Sequence, residues 1–112
     1  MINKKFFFNN LSITQGRHLD IIDNKIQLFP AKMWKNELKL FKKSGLNFIE
    51  WVISHKNYDL NPITKKNGFK IIKKKLKENN LSCRSVDLDF IIDQKILNVS
   101  DKKMVEFEKK IF

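Results

Sequence analysis

From Leu11 onward the apolar positions switch repeatedly between two spacings: short β-like runs, and the three-to-four-residue step that lines one face of a helix. Leu11 to Arg17 predicts a short strand stopped by Gly16. His18 to Asp23 prolongs it irregularly, and Asn24-Lys25 predicts a turn. Ile26 to Phe29 is a second apolar stretch, closed by Pro30, which has no amide donor for a strand interior. Trp34, Leu38 and Phe41 then fall at i, i+4 and i+7 and predict a helix over 33–44, with lysines around the rest of its circumference and Gly45 as the left-handed residue that ends it. Phe48 to Ile53 is rich in aromatic and β-branched residues on both faces, the signature of a buried parallel strand. His55 to Ile63, with the turn-forming Asn61-Pro62, is a loop. Thr64 is the expected cap of a helix running to Glu78 with Phe69, Ile72 and Leu76 as its stripe, ended by Asn79-Asn80. Leu81 to Phe90 predicts a third strand, residues 91–99 a connection, and Ser100 the cap of a third helix with Met104, Phe107 and Ile111 facing inward.

Strand and helix in alternation, joined by short connections, are the pattern of right-handed βαβ units on a parallel sheet. The expected class is therefore α/β, with three βα units over 11–112 behind an N-terminal extension, 1–10. The last helix reaches Phe112 without a glycine or other stop signal, which predicts a chain that ends in mid-fold.

Composition narrows the function classes. At 112 residues and 42% hydrophobic content the chain is long enough for one domain with a core and too short for two. No apolar run approaches the roughly 20 residues that cross a bilayer. The apolar part of the N-terminus, Phe6 to Phe8, is shorter than a signal-peptide core, so a cytoplasmic location without membrane contact is expected. Cys83 is the only cysteine, which excludes an internal disulfide and a cysteine-based zinc cluster. The net charge of +11 raises the alternative of a small basic nucleic-acid-binding module. Against it, the excess is 21 lysines to two arginines, Arg17 and Arg84, and the lysines are spread around the helices rather than interleaved with exposed aromatics. Lysine, asparagine and isoleucine enrichment together read as AT-rich codon usage, and nucleic acid is not the expected partner.

Several short segments, in order, are similar to the sugar phosphate isomerase/epimerase family, whose members share the xylose-isomerase-like (β/α)₈ TIM barrel. They are Thr14-Gln15-Gly16-Arg17, Ile26 to Pro30, Trp34 and Glu37, Ser44-Gly45-Leu46, Ile49-Glu50-Trp51, Asn61-Pro62-Ile63, Arg84-Ser85-Val86 and Asp89-Phe90. The resemblance implies a partial TIM barrel of about 250 residues when whole, with chemistry at the C-terminal ends of the strands. It also implies carbohydrate metabolism, a sugar or sugar-phosphate substrate, and a divalent metal (Mn, Mg, Co or Zn) held by two glutamates, an aspartate and a histidine of later strands. No catalytic or metal-ligating residue is therefore expected in this chain, and it is expected to be inactive alone.

The expected substrate-binding residues are Gln15, Arg17, Glu50, Trp51, Asp87 and Asp89, near the C-terminal ends of the three strands. Gln15 and the aspartates suit sugar hydroxyls, Arg17 an anionic group, and Trp51 a sugar face. Each has an architectural alternative. Arg17 and Glu50 can neutralise each other, Trp51 fits a core better than a platform, and Asp87 can bond backbone amides of the next loop. His55 suits a general base but equally a solvated loop, Cys83 is expected to be a buried inert thiol, and His18 has no assigned role. Two unpaired sheet edges predict self-association or docking with a C-terminal half.

Overall fold

The computed structural model describes residues 3–21, 24, 28–89, 91, 100, 102, 105, 106 and 109. Three parallel strands lie in chain order: β1 (Ser12–Thr14), β2 (Phe48–Val52) and β3 (Ser82–Asp87). Helix α1 (Lys4–Asn10) precedes the sheet, α2 (Trp34–Lys43) joins β1 to β2, and α3 (Gly68–Glu78) joins β2 to β3. The α/β class and the parallel pairing expected from the alternation are present. The expected connection of residues 91–99 and the helix after Ser100 lie largely outside the described residues.

The core forms where α2 and α3 pack together on one face of the sheet. Trp34, Leu38 and Phe41 of α2 are all buried, as their spacing requires, against Ile49 and Trp51 of β2 and Ile72 and Leu76 of α3. Trp51 is the hub. Phe29 lies 5.6 Å from it, and Trp34 meets it edge-on at the same centroid distance.

Both crossover helices end by one device. After α2, the Gly45 amide bonds Lys42 O and the Leu46 amide bonds Phe41 O; after α3, the Asn80 amide bonds Lys77 O and the Leu81 amide bonds Leu76 O. Gly45 and Asn80 take the left-handed conformation, φ +83° and +52°. The leucine that follows each is buried in the core beside the residue whose carbonyl it caps. These are Schellman ends, and they aim the chain straight into β2 and β3.

The start of α3 corrects the expected cap. Pro62 opens a tight 3₁₀ turn, Pro62–Thr64, and Lys65 is extended, so the helix begins only at Gly68 behind Asn67. Thr64 closes the 3₁₀ turn instead, its hydroxyl donating to Asn61 O at 2.8 Å. Gly68 is buried because the turn presses on it: a Cβ there would stand 1.5 Å from Pro62 O. Phe69 does not belong to the buried stripe. It is 63% exposed, at the rim of a groove of ≈ 610 Å³ that Ile72, Leu76, Trp51, Cys83 and Val86 also line. Cys83 is likewise exposed rather than buried, because among the described residues β3 pairs only with β2 and α3 leaves that side of it open. Burial of part of the thiol's surroundings still pushes its pKa up.

The N-terminal extension is helical over α1. Asn3 caps it by accepting from the amides of Lys5 and Phe6, and Phe6, Phe7 and Phe8 are exposed.

Candidate functional site

Strand alternation gives the two faces of the sheet opposite characters. Ile13, Ile49 and Trp51 point to the helices. The register pairs Ser12 with Phe48, Thr14 with Glu50 and Glu50 with Ser85, which puts these residues together on the other face, opposite α2 and α3. A register shift between Ile49 and Glu50 skips Arg84 out of the pairing. Its guanidinium lies 3.3 Å above the Phe48 ring on that same face.

At the centre is Glu50. The Thr14 hydroxyl donates to one carboxylate oxygen at 2.9 Å and the Ser85 hydroxyl to the other at 2.7 Å. The row Thr14–Glu50–Ser85 thus spans all three strands, half-buried, with an acid in the middle. Asp87, paired with Val52, continues this face toward the C-terminal end, where its backbone oxygen accepts from Ile53 at 2.9 Å. Asp89 follows just beyond the strand and, like Asp87, is half-buried. Arg17 is exposed in the turn after β1.

Two of the expected substrate contacts are enclosed in the body of the protein. Gln15 has no exposed surface. Its backbone N–H donates to Glu50 O and its side-chain Oε1 accepts from the Val52 backbone amide, both at 3.0 Å, so it extends the β1–β2 ladder past the last paired residue. Trp51 is 1% exposed, with its indole Nε1 donating to Asn61 Oδ1 at 3.0 Å. The six residues therefore divide. Glu50 and Asp87 share the face opposite α2 and α3, Arg17 and Asp89 stand at the strand ends, and Gln15 and Trp51 lie inside the body that supports them.

Three buried polar residues that the sequence did not mark as site elements hold the rim. Asn61 accepts from Trp51 and from the Ile63 amide at 3.2 Å, and donates to Val52 O at 2.9 Å. Ser54 accepts from the Phe29 amide at 3.1 Å. Glu37, on the buried face of α2, accepts the Gly16 amide at 2.5 Å. An asparagine before a proline reads only as a turn, and an acid between lysines reads as a solvated helix face, so neither carried a local signal. His18 acquires a place: its Nε2 is 3.0 Å from Ser44 Oγ, its ring rests 4.5 Å from Phe41, and burial pushes its pKa down. His55 is exposed.

Among the described residues, no three His, Cys, Asp or Glu side chains converge as metal ligands. The divalent ion implied by the resemblance does not fit the donors present, and no step can be assigned through it. No helix among the described residues is long and apolar enough to cross a membrane. No family model, curated protein or solved structure matches the chain.

Proposed function

We propose that these residues are three N-terminal βα units of a (β/α)₈ barrel belonging to a sugar or sugar-phosphate isomerase or epimerase, and that they supply its substrate-side groups. One observation carries the reading: helices cover one face of a parallel sheet while an acid held by two hydroxyls, Glu50 with Thr14 and Ser85, occupies the opposite face. In a closed barrel the face opposite α2 and α3 becomes the interior and the strand C-termini become the mouth. Arg17, Asp87 and Asp89 then border the mouth, where an arginine and carboxylates suit the anionic and hydroxyl groups of a sugar phosphate.

In such an enzyme a proton or hydride moves next to a carbonyl. This chain's part is to bind and orient. Arg17 receives an anionic group, Asp87 and Asp89 accept from hydroxyls, and Glu50 lies below them, held by Thr14 and Ser85. Self-association, or docking of a C-terminal half, follows from the outer edges of β1 and β3 and from the groove beside Phe69.

The test is to titrate the purified chain with ketoses and ketose phosphates in the presence of Mn²⁺ or Mg²⁺, following amide and side-chain NMR signals and product formation. Signals of Arg17, Asp87 and Asp89 are expected to move, without turnover. No movement at these residues overturns the assigned site, and robust turnover by the 112 residues alone overturns the partial-barrel reading.

A further inference from the structure

Glu37 is an acid in a costly place. It lies among the core side chains of α2 with no exposed surface, and its Oε2 has no hydrogen-bond partner. A carboxyl group so enclosed cannot touch a substrate, yet it is not idle. Oε1 accepts the Gly16 amide at 2.5 Å, and the backbone amide of His18 also bonds the carboxylate. These two amides bracket Arg17. The His18 ring ties the same turn to the far end of α2 through Ser44 and Phe41. The turn after β1 is therefore fastened to the helix on both sides of its one exposed cationic residue. Fixing both flanking peptides restricts the backbone at Arg17, and with it the origin of the guanidinium.

We propose that Glu37 is a positioning residue whose carboxylate staples the Gly16–His18 turn to α2, so that Arg17 is held ready for the phosphate group of a phosphorylated sugar. The proposal rests on the sugar-isomerase reading and deepens it by specifying a phosphorylated substrate. Because Oε1 accepts the Gly16 amide, a neutral isostere retains the acceptor, whereas a shorter acid withdraws it by one methylene.

The experiment is NMR on the full 112-residue chain, titrated with inorganic phosphate, for the wild type and for Glu37→Gln, Glu37→Asp and Glu37→Leu. In the wild type and Glu37→Gln, the Gly16 and His18 amide protons are expected downfield, with phosphate affinity at Arg17 agreeing within about threefold. In Glu37→Asp and Glu37→Leu both amides are expected to move upfield while β2 signals stay in place, and phosphate affinity to fall by about tenfold. Unmoved amides in Glu37→Asp overturn the staple, even if Glu37→Leu fails to fold. Amides that move while phosphate affinity holds overturn the positioning role. If Arg17 ignores phosphate in the wild type while both amides still depend on Glu37, the staple is upheld and the phosphorylated-substrate reading fails.

Discussion

Glu37 also gives the chain a pH signature. Burial raises its pKa from 4.5 to about 7 against the opposing pull of the Gly16 and His18 amides. The folded state thus holds this proton more tightly than the unfolded chain. The resulting stabilisation is fully present below about pH 4.5 and is lost as pH rises through 7. A shift of that size corresponds to about 3 kcal/mol. Urea unfolding at pH 5 and pH 8 is expected to show the wild type losing more stability over this range than Glu37→Gln, which has no proton to release; equal losses contradict it. Asn61 works the other way, as a satisfied polar residue. Replacing it with alanine strands the Trp51 indole, the Ile63 amide and the Val52 carbonyl, so Asn61→Ala is expected to lower unfolding stability by about 3 kcal/mol. Cys83 is exposed but has a raised pKa. Its alkylation by iodoacetamide at pH 7 is expected to be slower than that of a free thiol. At this scale the sequence was a partial guide. Trp51 was legible as core, because large aromatics in a two-faced apolar strand have nowhere else to go. The burial of Glu37 was not, because its partners are backbone amides of a loop distant in sequence.

At the scale of elements, the helix ends were the most legible features and the α3 start the least. Gly45 announces a left-handed residue, and Asn79-Asn80 does so more weakly. Since Asn80 sits at φ +52°, Asn80→Gly is expected to raise stability by about 0.5–1 kcal/mol in thermal unfolding, and a β-branched substitution to lower it. Gly68 has the opposite sensitivity. Gly68→Ala drives a methyl group into Pro62 O and is expected to destabilise the chain by about 3 kcal/mol or more, visible as a lower urea midpoint. Residue patterns placed Thr64 at the cap because it precedes an apolar period. The 3₁₀ turn set by Pro62 consumed that residue first, and the contact that makes Gly68 necessary exists only once the turn has folded back.

For the whole molecule, three parallel strands in chain order leave β1 and β3 each paired on one side among the described residues. The groove beside β3 exposes Phe69 and Val86. Such an edge beside an apolar groove favours association. In sedimentation velocity the chain is expected to run larger than a monomer, and Phe69→Lys with Val86→Lys to shift it toward the monomer; a wild type that stays monomeric counts against this.

Local pattern by itself determined the alternation of β1, α2, β2, α3 and β3, and the apolar face of α2, but not the strand lengths. These follow from periodicity and from single residues with restricted backbones, and both act within a few positions of the chain. Only the tertiary structure decided that Glu50 joins Thr14 and Ser85, that Glu37 and Gln15 are enclosed, and that Phe69 and Cys83 stay open to solvent. Those outcomes depend on strand register and on which neighbour covers which face, and contacts between residues 20 to 40 positions apart leave no mark on local spacing.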